Sequence, residues 1–103
     1  MSFDLKPRII KEIQTIAHKY AIDKIVLFGS RARGDNTPKS DIDIAVYTLL
    51  DFKNEGHFVS EIEDMYTLLK IDMVFINKDT DERLLNNIDK EGVIIYERLQ
   101  TKI

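Results

Sequence analysis

Asp41 and Asp43 flank a single isoleucine at the head of an apolar run that continues to Tyr47. The run is rich in β-branched and aromatic residues, which predicts a strand from Asp41 to Tyr47 with residues i and i+2 on one face. The two carboxylates then project together, while Ile42 and Ile44 turn the other way. Carboxylates held that close repel, and one or two divalent cations between them relieve the repulsion. Oxygen donors suit Mg²⁺, which shares its coordination with substrate phosphates, and Mn²⁺ accepts the same donors. Asp-x-Asp alone is equally the pattern of a solvated strand end.

Upstream, the apolar run Ile25-Val26-Leu27-Phe28 stops at Gly29-Ser30, and ten residues separate Ser30 from Asp41. Gly29 frees the backbone to turn, and the Ser30 hydroxyl can cap a following helix. The N–H groups of such a turn attract phosphate, and Arg31 and Arg33 add positive charge to the same segment. A plain capped turn accounts for Gly-Ser by itself. Strand, Gly-Ser, ten residues, Asp-x-Asp and strand together set a phosphate cradle beside a metal-binding pair. A further carboxylate, Asp72, interrupts the otherwise apolar Ile71 to Ile76. In a buried strand it is costly unless paired or bound to a cation, whereas at a strand's exposed end it costs little.

Gly-Ser-x10-Asp-x-Asp followed by a carboxylate on a later strand resembles the signature of the DNA polymerase beta type nucleotidyltransferase superfamily. Within it, Gly29-Ser30-Arg31-Ala32-Arg33-Gly34 with Ser40-Asp41-Ile42-Asp43-Ile44-Ala45-Val46 is similar to the minimal nucleotidyltransferases, which occur beside small helical HEPN proteins in prokaryotic toxin–antitoxin pairs. The resemblance spans about Ile9 to Glu97. It implies a nucleotidyltransferase fold with a mixed sheet. Asp41, Asp43 and Asp72 would be the catalytic, metal-holding residues for two Mg²⁺ ions. Gly29 and Ser30 would bind the β and γ phosphates, with Arg31 or Arg33 neutralising charge there. The implied reaction moves AMP from ATP, or a nucleotidyl group from another nucleoside triphosphate, to a tyrosine of a HEPN-type partner. The chain carries no Arg-x4-6-His element of the HEPN type, which makes it the antitoxin half. Two other readings stay open: the catalytic subunit of a two-subunit transferase acting on a small-molecule hydroxyl, and a non-catalytic antitoxin that masks its partner.

The elements that must position these residues follow from periodicity. Ile9, Ile10, Ile13, Ile16, Ala17 and Tyr20 form one apolar stripe, which predicts a helix from Leu5 to Tyr20 capped by Asp4. Lys24 to Phe28 is the first strand, Ser30 to Gly34 a short helix or turn, and Asp35 to Ser40 a loop. Leu49, Leu50 and Phe52 either cover the core or form a surface for a partner, with the core favoured. A second helix begins near Asn54 or at the capping-box pattern Ser60-x-x-Glu63 and runs to Lys70. Ile71 to Ile76 is a strand, Asp79 or Thr80 caps a helix from Asp81 to Glu91, and Val93 to Tyr96 is a last strand. The tail to Ile103 is frayed or briefly helical. His18 reads as solvated or capping, and His57 as non-catalytic.

Alternating helices and strands over 103 residues give one α/β domain, residues 1–103, with a sheet and helices packed on it. A net charge of −3 argues against a standing basic surface, so stable nucleic-acid binding is not expected. The absence of cysteine excludes disulfides and thiolate metal sites. Without a signal-peptide core or a membrane-spanning run, the expected location is the cytoplasm, away from membranes.

Overall fold

The computed structural model describes residues 3–65 and 67–98. In chain order the elements are α1 (Pro7–His18), β1 (Ile22–Phe28), α2 (Ser30–Arg33), β2 (Ile42–Thr48), α3 (Glu55–Glu63), β3 (Ile71–Phe75), α4 (Glu82–Glu91) and β4 (Val93–Glu97). The strands form one sheet in the order β3-β2-β1-β4. β1 is antiparallel to both β2 and β4, and β2 runs parallel to β3. The sheet is therefore mixed, as the family resemblance implied.

The α1 stripe does what its spacing predicts: Ile9, Ile13, Ile16 and Ala17 are buried. They join Ile25, Leu27, Ile44, Val46, Phe58 and Ile62 in the main core on one face of the sheet. On the other face Val26 and Ala45 pack with Ile88 of α4. Strands covered on both faces read as continuous apolar runs, which is why β1 and β2 alternate so little. Lys19 and Tyr20, just past α1, both reach Glu61 and tie this end of α1 to α3.

Several element ends differ from the sequence expectation. Asp4 does not cap α1. Lys6 stands at that position without a side-chain bond, and Asp4 instead hydrogen-bonds through its backbone N–H to the Arg31 carbonyl. α3 starts after Asn54, whose left-handed backbone (φ 63°) sets the entry, and the Ser60-x-x-Glu63 pattern lies inside it. It stops at Glu63 rather than Lys70. Past it the Met65 N–H bonds the Ile62 carbonyl at 3.2 Å, a tighter turn that does not continue the helix. The cap of α4 is Asp81, whose carboxylate accepts the Arg83 N–H, rather than Asp79 or Thr80. β1 begins two residues early, at Ile22. The region after β2 divides: Phe52 packs on the core and Leu50 is fully exposed. Tyr66 and the tail from Leu99 lie outside the described residues.

Candidate active site

Three strand ends meet at one edge of the sheet. Antiparallel pairing sets Phe28, the last residue of β1, opposite Asp43 near the start of β2, and parallel pairing sets Asp43 opposite Asp72 near the start of β3. Asp41 sits just before β2 and is exposed, while Asp43 is half-buried. Burial pushes the Asp43 carboxyl up from its ordinary value, and the neighbouring charges of Asp72, Asp41 and Glu91 add to it against the opposing pull of Arg33. A carboxylate held in this state is poised to gain from a cation.

Gly29 makes the turn between β1 and α2. Its backbone stands at φ 80°, ψ −159°, a region that only glycine occupies without strain. A Cβ there would meet Asp43 Oδ2 at 2.5 Å. Glycine is thus required twice, by the backbone angle and by the close approach of the turn to the carboxylate. Gly34, left-handed at φ 83°, ends α2 after four residues and directs the chain into the loop.

The two arginines part company. Arg31 is buried, and its guanidinium donates to the carbonyls of Asp4, Ser40, Pro38 and Thr37 at 3.0–3.4 Å. It holds the 35–40 loop and the residues before α1, and its donors are turned away from the Gly29 turn. Of the two arginines expected to neutralise phosphate, Arg31 has its donors committed to backbone oxygens. Arg33 is the guanidinium at the site, with Nε on Asp35 Oδ2 at 3.0 Å and Nη1 on both oxygens of Glu91.

Glu91 escaped the sequence reading. At the end of α4, its Oε2 also accepts the Gly29 N–H at 2.6 Å. The available signal was an acid in the last turn of a helix, where the macrodipole disfavours negative charge and a partner is needed. Asp72 also differs from its buried reading. It lies on an edge strand, 42% exposed, with Lys70 Nζ at 3.3 Å from Oδ1. Its register beside Asp43, rather than its desolvation, makes it notable.

Asp41, Asp43 and Asp72 offer hard oxygen donors from neighbouring strand ends, and the Asp43 carboxyl is raised by burial and then by the charges of Asp72 and Asp41. This donor chemistry fits Mg²⁺. Among the described residues no three acidic, histidine or cysteine side chains are gathered at ligand separation.

A family model described as "Polymerase beta, Nucleotidyltransferase" matches residues 11–101. The chain belongs to this family. The matched span contains the Gly29 turn, all three aspartates and Glu91. The nucleotidyltransferase is 36% identical over 96 residues to "Putative protein adenylyltransferase MJ0604" of Methanocaldococcus jannaschii, covering 86% of this chain and 96% of the relative. Its fold is similar to a crystal structure of a toxin–antitoxin with AMP-PNP, with a TM-score of 0.68 at 20% identity over 86% of this chain and 73% of that one. It is also similar to a crystal structure of a "putative nucleotidyltransferase" from Sulfolobus solfataricus, with a TM-score of 0.57 at 27% identity over 88% and 79% of the two chains. No helix among the described residues is long and apolar enough to cross a membrane.

Proposed function

We propose that this nucleotidyltransferase moves AMP from ATP to a tyrosine hydroxyl of a HEPN-type toxin and acts as its antitoxin. The observation that carries the reading is the meeting of the Gly29-Ser30 turn with Asp41, Asp43 and Asp72 at one sheet edge. The M. jannaschii relative named for protein adenylylation and the toxin–antitoxin neighbour with AMP-PNP support it. The exposure of the site supports an acceptor carried by another protein: Asp41 is exposed, Asp72 partly so, and Leu68, four residues before Asp72, offers a fully exposed apolar contact.

In this reading the Gly29 and Ser30 backbone and Arg33 bind the β and γ phosphates, which leaves the α-phosphorus facing the aspartates. The tyrosine oxygen forms a bond to the α-phosphorus, the bond to the bridging oxygen breaks, and pyrophosphate leaves. Asp72, nearest the open edge of the sheet, accepts the hydroxyl proton. Two Mg²⁺ ions, held by Asp41, Asp43 and Asp72, supply when bound the charge that acidifies the hydroxyl and neutralises the leaving group.

The test is intact mass spectrometry of the co-encoded small helical protein after incubation with this protein, Mg²⁺ and ATP, beside an Asp41→Asn/Asp43→Asn control. Mass increments matching AMP, absent in the control, are expected. If no increment forms with ATP, GTP, CTP or UTP, the protein-acceptor reading falls. Neutralisation of the toxin without transfer would instead identify masking.

A further inference from the structure

Glu91 holds the donors that a phosphate would need. One carboxylate oxygen takes the Gly29 N–H at 2.6 Å, and the two together take Arg33 Nη1 at 3.0 and 3.1 Å. An anion with two oxygens, held by a turn amide and a guanidinium, is the arrangement in which proteins hold phosphate oxygens. The Glu91 side chain is only 19% exposed, and its bond to the Gly29 N–H seats the carboxylate at the turn. It also stands where a helix terminus disfavours it and beside Asp43, itself crowded by two other aspartates.

We infer that Glu91 is an internal phosphate mimic: it closes the Gly29 turn in the nucleotide-free protein and must leave before a triphosphate can enter. This rests on the reading of the Gly29-Ser30 turn as the triphosphate site. Two features make the latch a side-chain device. Gly92, the next residue, fits against the Ile88 carbonyl and Val26 so closely that a Cβ would collide with both, which fixes the end of α4 on β1. Release therefore proceeds by rotation of the Glu91 side chain. Meanwhile Asp35 keeps Nε of Arg33, so the guanidinium stays at the turn with Nη1 freed for phosphate. Glu91 thereby sets nucleotide affinity by the fraction of molecules in which the turn is open.

The experiment is binding of Mg²⁺·ATP and of AMP by titration calorimetry to wild type, Glu91→Gln and Glu91→Ala, each checked for a native circular dichroism spectrum. If the latch is closed in about nine molecules of ten, its removal tightens ATP binding about tenfold, because apparent affinity scales with the open fraction. AMP, which lacks the β and γ phosphates, gains nothing. That selectivity separates a latch from a strut between α4 and β1, whose loss would weaken binding of both ligands. Folded variants that bind ATP no tighter than wild type overturn the inference and leave the nucleotide reading intact. A wild type and variants that all fail to bind Mg²⁺ and any nucleoside triphosphate overturn both. Should the variants not fold, wild type carrying a ¹³C label in its glutamate carboxylates decides. A shift of the Glu91 signal at saturating ATP supports the latch, and an unmoved signal refutes it.

Discussion

Replacing Gly29 with alanine tests the site's architecture at its tightest point. Alanine must adopt φ 80°, ψ −159° or bend the end of β1. Residues held in that glycine-only region cost of order 1–3 kcal/mol. For a domain of this size each kcal/mol lowers Tm by roughly 4–8 °C, so a fall of roughly 5–20 °C is expected. The steric part acts elsewhere. The new Cβ would lie 2.5 Å from Asp43 Oδ2, the mobile end of a side chain, so the carboxylate swings away while the backbone stays. A displacement of about 1 Å at a reacting centre costs about 100-fold in rate. Thermal unfolding by circular dichroism and single-turnover transfer separate the two effects. Gly56→Ala is the control, because nothing lies within 4 Å of its added Cβ and it sits in α3. That change should gain about 0.5 kcal/mol, from lost freedom in the unfolded chain and better helix propensity. A Gly29→Ala protein with wild-type Tm and rate would refute the described turn. One with lowered Tm and unaltered rate would remove Asp43 from the reacting centre.

Arg31→Ala should cost about 1–3 kcal/mol, since it removes a buried guanidinium and the part-buried hydrogen bonds it donates to the 35–40 loop, and denaturant titration measures it. Arg33→Gln should cost no more than about 1 kcal/mol, as Arg33 and Asp35 are exposed and Glu91 keeps the Gly29 N–H, yet weaken ATP binding in calorimetry. Asp43 gives a pH dependence of definite sign. Its folded pKa lies above the ordinary 3.8, so the folded state binds the extra proton between those values, and its contribution to stability is lost as pH rises through the folded value. Asp43→Asn should accordingly unfold at higher urea than wild type at pH 7, with the difference shrinking as pH falls toward 3.8. Excess Mg²⁺ should raise the Tm of wild type, and the increment should vanish in Asp41→Asn/Asp43→Asn.

Legibility followed the range over which each residue's reason acts. The α1 stripe, the apolar strands and the Gly29 turn state their roles locally, through spacing or through a residue type with one physical use. Asp41 and Asp43 were equally legible as a pair. Arg31 and Arg33 were not separable, because two arginines a residue apart look alike until α2 turns one inward to backbone carbonyls and the other toward Glu91. Glu91 was hidden for a different reason: its partners, Gly29 and Arg33, lie about sixty residues away and meet it only through the pairing of β1 with β4. The end of α3 is a tightened turn, with the Met65 N–H on the Ile62 carbonyl, which periodicity does not register.

The mixed sheet has a functional reason. β1 and β2 are joined through α2 and a loop, so antiparallel pairing brings the Gly29 turn beside Asp43 directly. Had β3 followed β2 by a tight hairpin, it would run antiparallel and start at the far end of β2. Asp72, its second residue, would then stand near the far end of β2, roughly 13 Å from Asp43 at about 3.3 Å per residue. The excursion through α3 returns the chain to the site edge before β3 begins and puts Asp72 in register with Asp43. That register brings like charges together, and the Asp72 charge adds to the burial that raises the Asp43 carboxyl. A fold selected for stability alone has no use for this crowding. In the proposed function, cations and a triphosphate would complete the charge balance, with Arg33 on the phosphate side and the aspartates on the other.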